Sequence, residues 1–491
     1  WSGNNEISLQ EAQMRTFSNF AWMFLRTEGD YNFSSGSRGR GNLSSTANPY
    51  FLFPQIYNFR YNIYSSEWPV ANRAIELYLQ KKSENEGWER QINGLSNNEK
   101  ANLLLEKHTF KELLADVEQR NLQNNIVGLE ASRLFARSEI NMGVDAFRDS
   151  LYAMLKRNTF LNIKFENMLD TLGEMSRTDL YSYLKEWEQL TPLPFYSIGE
   201  PELTKVVNKG GEEFFVLKVL VSNNSDYDGI IQMNVLQNGW WYQPMEDPRA
   251  RKKVEIAAHT SKEFVSVWEE QIRDVEINTM VSGNLPYMIR QSIGNVKQER
   301  NKIVKDTIYT LPESSLEMPG EVIVDNEDST LFVLSTPAVV GLLPKWLDKV
   351  EDTSFKYSGI SWWRAPLQWT ATTNAKYYGK YIRSAYVIKS GDGSQTATWK
   401  IPVPEAGQYE LYYHVFKDDE LRWNDRLQGE YHFRVAYDSE MEDAYINLRK
   451  ANEGWEQLGT YYFSADTVRV VLTDECKLRS VTADAVKIVK R

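Results

Sequence analysis

Residues able to do chemistry are few in this 491-residue chain. There are four histidines, His108, His259, His414 and His432. No two lie at helix-face spacing, so the H-E-x-x-H pattern that brings two imidazoles to one zinc ion is missing. His414 and His432 sit in alternating aromatic runs, Leu411-Tyr412-Tyr413-His414-Val415-Phe416 and Tyr431-His432-Phe433-Arg434-Val435, which gives them a structural place in strands. A single cysteine, Cys476, permits neither an internal disulfide nor a thiolate metal cluster. No G-x-x-x-x-G-K-[ST] phosphate loop and no G-x-S-x-G elbow occurs. The glycines of Ser34-Ser35-Gly36-Ser37-Arg38-Gly39-Arg40-Gly41 follow no strand and read as a flexible loop. The expectation is therefore no catalytic residue, no metal site and no cofactor in this chain.

What remains is binding chemistry. Trp240-Trp241-Tyr242 and Trp362-Trp363 supply the candidate binding aromatics, Trp240, Trp241, Trp362 and Trp363. Such rings stack on sugars or aromatic side chains, or pack between domains. Arg249, Arg251, Lys252 and Lys253 would dock an acidic partner; a solvated hairpin is the simpler expectation. Asp325-Asn326-Glu327-Asp328, or Asp418, Asp419 and Glu420, carry the oxygen ligands calcium takes, but a polar turn accounts for them equally. Asp and Glu are plentiful, yet no spacing singles out a pair for glycoside hydrolysis.

Lys and Arg total 56 against 67 Asp and Glu, a net charge of −11. Phosphate contacts need a basic face, so a nucleic-acid partner is not expected. The longest apolar runs, Phe20 to Leu25 and Ala338 to Leu343, are far short of the ~20 residues a bilayer span needs. The chain opens Trp1-Ser2-Gly3 without Met and reads as a mature or trimmed fragment.

The elements that must position these residues change character along the chain. Residues 1 to 196 read as helical. Ser8 with Glu11, and Ser96 with Glu99, have capping-box spacing. Pro69 suits a first helical turn. Val144, Phe147, Leu151 and Leu155 fall on one helix face. Residues 197 to 297 switch to short strands, Glu213 to Val221, Ile230 to Val235 and Val254 to Ile256, spaced as in an Ig-like β-sandwich. Residues 298 to 320, polar and holding Pro312, Pro319 and Gly320, are expected to be a linker. Residues 321 to 491 are again strand-rich and suggest a second, jelly-roll-like sandwich. The predicted fold class is thus multidomain α + β: a helical domain followed by two antiparallel β-sandwiches.

The last 170 residues or so resemble the golvesin C-terminal-like domain. The resemblance rests on Asp325-Asn326-Glu327-Asp328, Tyr378-Gly379, Thr396-Ala397-Thr398-Trp399, Val403-Pro404-Glu405-Ala406-Gly407-Gln408-Tyr409, Trp455-Glu456-Gln457-Leu458-Gly459-Thr460-Tyr461 and Thr482-Ala483-Asp484-Ala485-Val486. The segment Thr336 to Thr353 departs from it as an insertion. The resemblance implies an extracytoplasmic sandwich. Trp399 and Trp455 are expected to anchor its core, Gly407 and Gly459 to make turns, and Asp484 to bond local backbone. Residues 1 to 297 resemble the C-terminal part of a gluzincin aminopeptidase, through Gly128 to Leu155, Tyr181 to Phe195 and Asn278-Thr279…Asn284-Leu285-Pro286. That family's zinc helix is not in this chain, and Ile126 and Val127 stand where its transition-state tyrosine is expected.

The reading that follows is a non-catalytic, extracytoplasmic binding or scaffolding region of a bacterial envelope or secreted protein. Its partner would be a protein, peptide or glycan at the cell envelope, within a larger assembly. The alternatives are the C-terminal part of a zinc aminopeptidase whose metal site lies upstream, and a polysaccharide-binding or polysaccharide-processing accessory protein.

Overall fold

The structure is a computed structural model. It describes Met14 and residues 61–79, 86–159, 161–207, 210–236, 247–294, 296–300, 304–313, 316, 320–335, 355–360, 365–417, 429–438 and 440–491. Three hydrophobic cores organise these residues.

The first core is helical. It is built from α1 (Ala71–Leu79), α2 (Glu86–Asn93), α3 (Asn97–Leu105), α4 (Phe110–Ala115), α5 (Gln123–Met142), α6 (Val144–Arg157), α7 (Phe165–Ser176) and α8 (Leu180–Leu184). Ser96 caps α3 in the box its spacing predicts: its side chain accepts from Glu99 N, and Glu99 reaches back to Ser96 N. Thr109 and Glu112 repeat the device at α4. Gly143, at φ +89°, separates α5 from α6, a conformation that L side chains rarely adopt. Central helix α5 is buried along most of its length, including the polar Glu130, Ser138 and Glu139. The unit is not wholly helical, because β1 (Tyr61–Tyr64) and β2 (Leu161–Lys164) form a small parallel pair.

The second core lies between two sheets. Nine strands fill out this region: β3 (Tyr196–Ile198), β4 (Glu202–Val207), β5 (Glu213–Asn223), β6 (Gly229–Leu236), β7 (Arg251–Ile256), β8 (Thr260–Trp268), β9 (Asp274–Asn278), β10 (Met288–Ser292) and β11 (Val296–Arg300). A tenth, β12 (Thr307–Pro312), follows. One sheet has the order β10-β9-β6-β7; the other runs β11-β4-β5-β8-β12, with β3 also on β5. The stretch expected as a linker, 298–320, is corrected here. It holds the end of β11, parallel to β4, and all of β12, antiparallel to β8. The polarity of β11 marks an exposed edge strand, whose outward side chains need no apolar character, whereas β12 carries Ile308, Tyr309 and Leu311.

The third core is a sandwich of two antiparallel sheets with a small third one. β13 (Glu321–Val324), β14 (Phe332–Leu334), β15 (Thr370–Thr373), β16 (Ser384–Lys389), β17 (Thr396–Pro402) and β18 (Gly407–Val415) are its first half. β19 (Glu430–Tyr437), β20 (Glu440–Asn447), β21 (Gly454–Phe463), β22 (Thr467–Thr473), β23 (Ser480–Ala483) and β24 (Val486–Lys490) complete it. Sheet β13-β24-β18-β21 faces sheet β14-β17-β22-β19-β20, while β15-β16-β23 stands beside them. Trp399, Tyr409, Leu411, Tyr413, Phe433 and Val470 fill the space between.

The three units meet directly. Leu285 N donates to Tyr381 O (3.0 Å) and Arg383 N donates to Leu285 O (2.6 Å), tying the first sandwich to the last. Thr373 Oγ1 donates to Gly94 O, tying the last sandwich to the helices. A Cβ on Gly94 would lie 2.4 Å from Ser358 backbone, so only glycine allows this approach. Leu95, Leu285, Tyr357 and Ala371 share a buried cluster where all three converge. Part of the basic run faces the helices, whereas Arg249, half exposed, pairs with Asp247 and Asp306 inside its own sandwich. Lys253 forms a buried ion pair with Glu139 of α5, and Arg251 lies 3.9 Å from Asp145 of α6. The acidic partners of Lys253 and Arg251 thus belong to the chain's own helical unit. Among the described residues no helix is long and apolar enough to cross a membrane.

Candidate functional site in the C-terminal sandwich

The four candidate binding aromatics, Trp240, Trp241, Trp362 and Trp363, lie outside the described residues, as do Asp418, Asp419, Glu420 and Thr336 to Thr353. Asp325 to Asp328 form a turn: Asp325 N donates to Asp328 Oδ2, and Asp328 N to Asp325 O. Glu327 is occupied by the Tyr357 hydroxyl (3.0 Å), Lys356 and Ser384. Among the described residues no group of three or more His, Cys, Asp or Glu is placed to hold a metal ion.

Two histidine–carboxylate pairs stand out instead, one on each face of the C-terminal sandwich. The first is set by β18, where alternation sends Leu411, Tyr413 and Val415 inward and Tyr412 and His414 outward. His414 Nδ1 lies 2.8 Å from Asp484 Oδ2, and Asp484 is fully buried. Both Asp484 oxygens also accept from Tyr378 N at 3.2 Å. Burial raises the Asp484 pKa, opposed by the His414 charge and hydrogen bond, the Tyr378 N–H and the Arg383 charge. Arg383 is itself pulled down to about 10 by burial. Asp484 therefore bonds backbone 106 residues away, not local backbone as expected.

Trp455 is part of this first arrangement. It sits opposite His414 on β21, with ring centroids 5.2 Å apart, 5.0 Å from Tyr378 and with Lys487 Nζ 4.8 Å above it. It is half-buried on the outer face, so the expectation that it anchors the core is corrected. Trp399 does anchor the core: it is fully buried, and its indole N–H donates to the Asp484 carbonyl at 3.2 Å. Gly459 is not a turn residue either. It lies inside β21 opposite Leu411, at a register shift, where a Cβ would meet the Tyr461 ring at 2.7 Å.

The second pair is open to solvent. On β19, Tyr431, Phe433 and Val435 point inward, leaving His432 and Arg434 on the outer face. On β20, Ala444 and Ile446 point inward, leaving Met441, Asp443 and Tyr445 outside. The register sets Tyr445 opposite His432 and Asp443 opposite Arg434. The Tyr445 and His432 rings lie flat on each other, 4.9 Å apart at 9°. Tyr445 is 55% exposed, so the ring face away from His432 is available. His432 Nε2 is 2.8 Å from Asp443 Oδ1, and its Nδ1 is 3.4 Å from Glu475 Oε2. An aromatic ring held flat, with carboxylate acceptors beside it, suits a ring-shaped ligand bearing hydroxyl donors. The alternation of Tyr431 to Val435 was readable and put His432 on a polar position, while the strand carrying Tyr445 was not read from the sequence. What the sequence did not show was the register that stacks one on the other.

Residues 363–490 match the family model of the Golvesin C-terminal domain. The golvesin-like unit thus includes both histidine pairs. The match does not reach residues 1–297, and the resemblance of that region to a gluzincin aminopeptidase gains no support from it. None of the curated proteins matches the chain in sequence. Among solved structures, a Paenibacillus xanthan lyase is 17% identical, with a TM-score of 0.25 over 61% of this chain and 27% of that one. The chain thus spans about a quarter of that protein's length. A Podospora anserina GH26-CBM35 β-(1,4)-mannanase is 12% identical, TM-score 0.19, over 35% of this chain and 28% of that one. The CBM35 from Cellvibrio japonicus Abf62 is 12% identical, TM-score 0.16, over 23% and 75% respectively.

Proposed function

We propose that the chain is a non-catalytic, extracytoplasmic binding region. In this reading its golvesin-like unit holds a saccharide against Tyr445, and the helical unit and first sandwich form the scaffold. One observation carries the reading: a half-exposed ring stacked flat on His432, with Asp443 and Glu475 at its rim. Sugar rings offer an apolar C–H face to such a platform and hydroxyl donors to such carboxylates. The carboxylates and the net charge of −11 favour a neutral saccharide over a polyanion, which they repel.

Affinity electrophoresis of the full chain through a neutral galactomannan gel and an acidic alginate gel tests this. Retardation by the neutral polymer is expected. It should weaken about tenfold or more in Tyr445→Ala, the scale of a lost aromatic contact. Equal retardation of wild type and Tyr445→Ala, or none in any neutral polymer tried, would remove the platform reading.

A further inference from the structure

The six-stranded sheet of the first sandwich ends in two edges of opposite character. At one edge β11 exposes Lys297, Gln298, Glu299 and Arg300. Charged side chains of this kind discourage pairing with another strand. At the other edge β12 reads Thr307-Ile308-Tyr309-Thr310-Leu311-Pro312, without a charge. Ile308, Tyr309 and Leu311 are 36%, 50% and 38% exposed. β12 pairs with β8 on one side, and among the described residues nothing pairs with the other. An uncharged, exposed edge is a template for a further strand.

We propose that β12 pairs antiparallel with β12 of a second copy of this chain, continuing the sheet across a two-fold axis. Opposed residues in a sheet must share a face, which restricts self-pairing to a few registers. The register centred on Tyr309 places Tyr309 against Tyr309, Ile308 against Thr310 and Thr307 against Leu311. It keeps Pro312, which has no N–H to give, outside the ladder. A register centred one residue later sets Pro312 against Ile308 inside it. Just beyond the strand, the Tyr309-centred register also brings Lys305 toward Glu313 of the other copy, twice by symmetry. Cross-strand aromatic pairs are favourable, and no like charges oppose each other. Tyr309 shares its face with Thr307, which lies opposite Val265 of the apolar strip Val206, Val216 and Val265. Tyr309 itself lies opposite Glu263 of β8, so the tyrosine pair would sit beside that carboxylate at the margin of the strip. A single strand pair is a small interface, so a weak, concentration-dependent dimer is expected.

Sedimentation velocity of the full chain, from ~1 to ~300 µM, reads this directly. A concentration-dependent dimer is expected. Tyr309→Asp and Tyr309→Lys each place like charges against each other and should weaken it about tenfold or more. An equimolar mixture of the two variants should regain the dimer, which a merely misfolded variant would not do. Gln298→Asp, on the opposite edge, should leave it unchanged. A monomer throughout that range would overturn the proposal, leaving an extended peptide of another protein as the occupant of the edge. A dimer untouched by both Tyr309 variants, or not regained on mixing them, would overturn it as well.

Discussion

The golvesin-like unit holds the same chemical pair twice, with opposite consequences. His414–Asp484 and His432–Asp443 both have a ring nitrogen 2.8 Å from a carboxylate oxygen. Asp484 is fully buried and gathers Tyr378 N, His414 and the nearby Arg383 charge. The Asp443 side chain is 58% exposed and leaves the ring stacked on His432 open. A buried charge must be matched or it costs several kcal/mol, whereas an exposed pair contributes little. The first pair therefore ties together one strand, β18, and two connecting segments of the sandwich, those holding Tyr378 and Asp484. The second is free to be spent on a ligand.

The sharpest way to break this contrast is at Asp484. Asp484→Ala removes the acceptor for Tyr378 N and His414 Nδ1 and leaves both without it. Truncating one partner of such a buried pair costs about 3–5 kcal/mol. Asp484→Asn keeps an acceptor and drops the charge, so it should cost less. The pH sign follows from the raised pKa. The folded protein holds this proton more tightly, so ionising Asp484 lowers stability as pH rises from the unfolded value through the folded one. Asp484→Asn should remove that slope. Urea unfolding of the full chain at several pH values checks both points. An alanine variant as stable as wild type would mean that Asp484 is not structural.

The two tryptophans extend the contrast from charge to packing. Trp399→Ala opens a cavity in the core and should cost roughly 3–5 kcal/mol. Trp455→Ala strips a half-buried ring from the outer face, so a smaller loss is expected. Thermal unfolding that ranks the two the other way would return Trp455 to the core.

Glu76 asks whether burial alone, without a histidine, sets the cost. It lies on α1 with Arg73 Nη1 3.2 Å away, and burial, partly offset by Arg73, pushes its pKa up to about 7. The shift from 4.5 corresponds to roughly 3 kcal/mol as an upper bound at high pH. With the folded pKa raised, stability contributed by the protonated form declines between about pH 4.5 and 7. Glu76→Gln should therefore raise the melting temperature at pH 8 and change it little at pH 4. A variant less stable at pH 8 would show that the Arg73 pair outweighs the burial.

Much of the fold was legible because it follows local rules. The Ser96–Glu99 box, the apolar face of α6 and the alternation of β18 and β19 are written in runs of a few residues. The change from helical to strand period near residue 196 was legible for the same reason. Edges were not. β11 looks like linker because an exposed edge strand needs no apolar residues, and β12 because it is short and ends on Pro312; their membership of the sheet is decided by β4 and β8. Trp455 was misplaced because a large ring beside a glycine reads as core. Only the register with His414 puts it on the outer face. The Tyr445 platform was hidden for the same cause, since stacking across two strands is a property of pairing and not of either strand.

The smallest effect on stability, and the most telling for the comparison, is expected at Asp443. Its bonds to His432 Nε2 and its 4.0 Å approach to Arg434 Nε are those of an exposed pair. Asp443→Asn should therefore move the melting temperature by no more than about 2 °C. If Tyr445 and its rim bind a saccharide, the same substitution removes an acceptor beside the ring and should weaken retardation in the neutral gel severalfold. Asp484→Asn, on the far side of the sandwich, should leave retardation as it is once the protein is folded. The pair of variants thus separates the two histidine–carboxylate sites by readout: one moves stability and spares binding, the other spares stability and moves binding. Should Asp443→Asn leave binding untouched while Tyr445→Ala abolishes it, the ring alone would hold the ligand and the carboxylate would have no part in it.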